Sequence, residues 1–206
     1  MKYGLICLLV LLGATFPLLV NPQDSHVHSE YVKDMKKTKV TTDLMYVVNA
    51  PAQFVQVQLS SLYQGEKLAK PPSTITLLIW SYSREAMYRK DKGKKLFVVT
   101  DGESWLLGRL DSVVMKGQTK KGQDAFYSEN NPALGMQVPL PMHAQVRGGK
   151  NVNGLVMEWM FVELKPEQLS KLVNAKKVEL QLGDTTFEFT DDQMNTVREF
   201  AKRITP

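Results

Sequence analysis

The chain has 206 residues, 43% of them hydrophobic and 23% charged, and carries a formal net charge of +5 at pH 7. That balance is ordinary for a globular protein; it excludes coiled coil and wholesale disorder, and the length suffices for one sizeable core or at most two small ones. The only cysteine, Cys7, lies near the start, so the remainder excludes disulfides, cysteine nucleophiles and thiolate metal sites.

Met1-Lys2 is followed by an apolar run from Tyr3 to Val20, closed by polar Asn21-Pro22-Gln23-Asp24. A positive start, an apolar stretch and a polar exit make residues 1–23 a secretion signal, which places the rest in the periplasm or outside the cell. No clean small-x-small cleavage site follows, with Leu12-Gly13-Ala14 the nearest match. The alternative is therefore an uncleaved anchor over residues 3–20, a length just able to span a bilayer. Residues 24–36 read as a flexible polar lead-in, and residues 37–206 as a single domain. The lead-in holds His26-Val27-His28, whose two histidines would project to one side of an extended chain.

Lys39 to Val48 reads as one strand with Val40, Leu44, Tyr46 and Val48 inward, ended by the turn Asn49-Ala50-Pro51-Ala52. From Phe54 to Tyr63 the alternation puts Val55, Val57 and Leu59 on one face and Gln56, Gln58 and Ser60 on the other, the pattern of an antiparallel sheet with one wet face. Thr74 to Tyr82 is the most apolar segment beyond the signal and reads as a central strand. Lys94–Thr100 and Ser104–Leu110 flank Asp101-Gly102, a strong hairpin signal.

From Lys116 to Lys150 the pattern dissolves among Gly117, Gly122, Gly135, Gly148 and Gly149 and three prolines. A long irregular stretch inside a compact domain is either functional or disordered. Here Ala125-Phe126-Tyr127 and Leu134 to Met142 are too apolar for a free linker, so the stretch either caps the core or binds a ligand. On the second reading Phe126, Tyr127, Met136, Met142 and His143 are the ligand-binding candidates.

Met157 to Leu164 reads as a strand, Pro166 opens a short helix to about Asn174, and Val178–Leu182 and Thr186–Phe189 form a hairpin about Gly183-Asp184. Thr190 and Gln193 form a capping box ahead of a final helix, Asp191–Ile204, whose stripe Met194, Val197, Phe200, Ala201 and Ile204 is core. These elements predict an α+β fold: a mostly antiparallel, twisted sheet of about seven or eight strands, folded as a sandwich or partial barrel, with both helices packed on it.

No catalytic motif stands out. Ser104, Ser112 and Ser128 lack a nucleophile context, loop pairs such as Asp101 with Glu103 are turn formers, and no glycine-rich phosphate loop or metal-ligand spacing occurs. No cofactor or metal is expected. Basic residues cluster at Lys33-Lys36-Lys37-Lys39, Arg89–Lys95 and Lys116-Lys120-Lys121; without interleaved exposed aromatics they do not suggest nucleic acid.

The run Asp101-Gly102-x-x-Trp105-Leu106-Leu107-Gly108, with Leu172 to Gly183 and Phe187-Glu188-Phe189, resembles uncharacterised exported bacterial proteins, especially those of soil bacteria. The likeness covers roughly the second half of the chain. It implies an envelope origin and an α+β fold, and brings no functional residue with it.

The expected function is an exported, non-catalytic binding or interaction module that presents the 116–150 stretch and a sheet face. Its partner would be an envelope protein or an anionic surface ligand, with membrane contact only through the N-terminal segment. The alternative is a hydrolase or metal-dependent enzyme using His143 with loop carboxylates.

Overall fold

The computed structural model describes residues 25–50, 53–85, 88, 95–120, 123–128, 135–136 and 154–206. Residues 1–24, which include the segment read as a secretion signal, and Met142 and His143 lie outside them. Thirteen strands and two α-helices are present among the described residues. They form an α+β fold of two antiparallel sheets, neither of which closes on itself. No described helix is long and apolar enough to cross a membrane.

The larger sheet contains nine strands. It begins with β1 (Val27–Val32), a 3₁₀ turn at Lys33–Met35, β2 (Lys37–Thr42) and β3 (Met45–Ala50). The long β4 (Gln53–Gln64) then pairs with β2 through its second half and β3 through its first, so both line one of its edges. On its other side follow β5 (Ile75–Ser83), later β11 (Val156–Leu164), β8 (Asp111–Lys120), β9 (Gln123–Ser128) and the two-residue β10 (Gly135–Met136). The smaller sheet has the order β13 (Thr185–Glu188), β12 (Val178–Leu182), β6 (Lys95–Thr100), β7 (Glu103–Arg109). Helices α1 (Pro166–Asn174) and α2 (Asp191–Arg203) complete the chain.

The core lies between the sheets and under the helices. Val55, Val57 and Leu59 of β4 sit beside Leu77, Ile79, Met160 and Val162, and meet Leu96, Val98, Leu180 and Phe187 of the smaller sheet with Val197 and Phe200 of α2, all buried. The inward face expected for β4 and the stripe expected for α2 are both present, but the face of β4 expected to be wet is not: Gln56 is buried and Gln58 and Ser60 are half-buried. At the Asp101-Gly102 hairpin both residues adopt positive φ, 51° and 89°; at the second hairpin Gly183 alone does. Asp101 Oδ1 accepts from Lys176 N (3.0 Å) and Lys177 N (2.9 Å), joining the hairpin to the start of β12.

The helix ends are tied into the sheets. Thr190 Oγ1 accepts from Gln193 N and Gln193 Oε1 from Thr190 N, the expected capping box, while Gln193 Nε2 donates to Tyr46 O at 2.7 Å. Gln168 Nε2 of α1 donates to Leu107 O at 2.9 Å, occupying an acceptor on β7, the terminal strand of its sheet. Arg198 donates to Val173 O and Ala175 O, carbonyls at the end of α1.

Four expectations are corrected. Residues 27–35, read as lead-in, form β1 and the 3₁₀ turn: Val27 is buried, and Ser25 Oγ donates to Glu199 Oε1 of α2 at 2.7 Å. The single strand expected from Lys39 to Val48 is two, broken at Asp43-Leu44, which leaves Leu44 and Tyr46 exposed rather than inward. The irregular stretch from Lys116 holds the end of β8, all of β9 and β10, so Phe126, Tyr127 and Met136 are on strands rather than in a loop. These gains raise the strand count well above the seven or eight expected. Lysine, glycine and glutamine in β8 and β9 are poor strand formers, and pairing with a neighbour overrides that preference.

Candidate functional site

An antiparallel sheet that packs one face on the core ordinarily turns a polar face to solvent. Here β5 and β11 are apolar at both odd and even positions. Their core-facing residues are Ile75, Leu77 and Ile79, and Met160, Val162 and Leu164. The intervening residues point the other way and pair across the strands: Leu78 opposite Phe161, Trp80 opposite Trp159, and Tyr82 opposite Met157. β4 adds Phe54 opposite Tyr82 and Gln56 opposite Trp80.

This outer face is graded along its strands. Phe54, Gln56, Tyr82 and Met157 are buried, whereas Leu78, Trp80, Trp159 and Phe161 are only partly covered. Gln58, Ser60, Thr76 and Glu163 give it a polar border. Tyr46, in register with Gln56, and Leu62, in register with Lys39, stay exposed at 37% and 43%. Trp159 Nε1 is a buried donor with no acceptor; an indole N–H left so costs about 1–3 kcal/mol. The Tyr82 hydroxyl is pushed up to about 12 by burial, with Tyr46 adding to the effect, which marks this end of the face as weakly solvated. An aromatic surface of this kind can hold an apolar partner by burial.

The sequence-derived candidates fall at the far side of the same sheet. Phe126 lies opposite Gly117 and Met136, and Tyr127 opposite Lys116 and Gly135. Phe126, Tyr127 and Met136 are therefore brought together by β9 and β10, while Met142 and His143 lie outside the described residues. Trp80, Trp159, Leu78 and Phe161 were missed. Their signal was available: a strand apolar at both parities within an antiparallel sheet must show one apolar face away from the core.

A second polar feature lies on the core side. Glu158 is buried at the inner face of β11, opposite Ser81, and its Oε1 accepts from Tyr88 N at 2.9 Å. Ser81 Oγ is buried and unpaired, and Gln53 Nε2 donates to the Tyr88 hydroxyl, whose ring packs edge-on against Phe187. Burying a carboxylate demands donors of this sort, and the cluster anchors the chain at Tyr88 to the sheet. Between the sheets and helices, the cavity lined by Leu77, Leu164, Leu172, Leu180, Phe189 and Val197 is about 10 Å³, room for no more than one water and wholly apolar.

Among the described residues no three His, Cys, Asp or Glu side chains converge as a cation site. No protein-family model, curated protein or solved structure matches the chain.

Proposed function

We propose that this protein is an exported, non-catalytic interaction module that holds an envelope partner against the outer face of its larger sheet. The observation that carries this reading is the cross-strand pairing of Trp80 with Trp159 and Leu78 with Phe161 on the side turned from the core. Leaving such a surface in water is unfavourable by roughly 25 cal/mol per Å² of apolar area, and patches of this type on soluble domains mark binding surfaces. The basic residues Lys37 and Lys39 of β2, exposed on the same side as Leu62, border it with positive charge. The partner this chemistry favours is apolar where it meets the tryptophans and acidic where it meets β2.

Site-specific photo-crosslinking tests the proposal. A photoreactive residue replacing Leu78 is expected to give one dominant adduct with an envelope component, and one replacing Thr186, exposed on β13, is expected to give none. The same adducts from both positions, or none from Leu78, would refute it.

A further inference from the structure

At the start of β1, His26 Nδ1, just ahead of the strand, lies 3.1 Å from Asp43 Oδ2, and His28 Nε2, on it, lies 2.7 Å from Asp43 Oδ1. All three side chains are open to solvent, at 65%, 60% and 49% exposure. The backbone fixes the arrangement: Asp43 N donates to His26 O at 2.7 Å, and His28 pairs in register with Thr41, two residues before Asp43. The extended chain then puts both imidazoles on the side from which Asp43 rises.

We propose that His26 and His28 form a surface site for a late first-row divalent cation, Cu²⁺ binding tightest, with Asp43 as the carboxylate that orients both imidazoles. Asp43 is about half exposed and lies within hydrogen-bond distance of both rings, and an aspartate open to solvent is ionised at neutral pH. An ionised carboxylate only accepts, and each facing ring nitrogen must carry the proton. In the neutral imidazoles the lone pairs are thereby assigned to Nε2 of His26 and Nδ1 of His28, the nitrogens a metal would take. An imidazole donating its other N–H to a carboxylate is the usual partner shell of a metal-bound histidine, holding the tautomer and raising ligand basicity. Imidazole nitrogens suit copper, nickel and zinc, and copper(II) heads the affinity order. The two imidazoles hold opposite oxygens of Asp43 rather than converging with it on one point, so the carboxylate acts behind the ligands and water fills the remaining positions.

Titration of untagged full-length protein with Cu²⁺, followed by calorimetry and electron paramagnetic resonance, tests this. One equivalent is expected to bind with micromolar affinity and a two-nitrogen signature, falling to one nitrogen in His28→Gln. Asp43→Asn is expected to weaken binding about tenfold, as for other partners of metal-bound histidines, while circular dichroism stays unchanged. Equal affinity in the His26→Ala/His28→Ala double variant, binding that disappears with His143→Ala instead, or no binding by the wild type would overturn the proposal.

Discussion

At Gly108 the absence of a side chain sets how closely the two sheets approach. A Cβ there would run into Val162 Cγ2 of β11, so Gly108→Ala forces either β7 or Val162 to move. The expected cost is about 1–3 kcal/mol, typical of overpacking, read by denaturant unfolding, and Gly108→Ala/Val162→Ala should recover much of it. Equal losses in the single and double variants would place the strain elsewhere. The buried Tyr82 hydroxyl makes a second residue-level prediction. Its raised value of about 12 means that its contribution is whole below pH 10 and is lost as pH rises from there through about 12. Tyr82→Phe should lack that alkaline loss; parallel decline of both proteins would contradict the assignment. Gly108 and the buried Glu158 were not legible from the sequence. Gly108 looks like any strand glycine until β11 is beside it. Glu158 sits on a strand apolar on both sides, so alternation gives no sign that its carboxylate faces the core.

Among elements, α2 was the most legible, because cap, dipole charges and stripe agree: Thr190, Gln193, Asp191, Asp192 and the buried Met194, Val197 and Phe200. Phe200→Ala should cost about 3–5 kcal/mol as a core truncation, and Thr190→Ala about 1 kcal/mol as a lost cap; thermal melts separate the two. β1 was the least legible. Val-His-Ser-Glu-Tyr-Val is half polar, and its place is fixed by the next strand, β2, along its length and by a partner remote in sequence, Glu199 at Ser25, with Arg203 Nη2 3.2 Å from Glu199 Oε1. Deleting residues 25–36 is therefore expected to lower the melting temperature. A truncated protein that melts with the full chain would return this segment to the status of a lead-in.

For the molecule as a whole, the α+β class and the two hairpins followed from local patterns, and a sandwich was one of the two arrangements expected, whereas the division of the strands between the two sheets was not readable. That division depends on β4 being long enough to pair with β2 and β3 end to end, and on β11 returning between β5 and β8. Once β11 takes that place, Trp159 meets Trp80 and the outer aromatic face exists; the sequence holds both tryptophans but not their juxtaposition. The three tryptophans of the chain make a direct test possible, since Trp105 lies on β7 of the smaller sheet beneath the Lys171 ammonium, 4.9 Å from the ring centre. Radical footprinting of all three, read by mass spectrometry with and without the native envelope fraction, should show Trp80 and Trp159 protected and Trp105 unchanged. Protection of Trp105 alone, or of none, would contradict a binding role for the outer face.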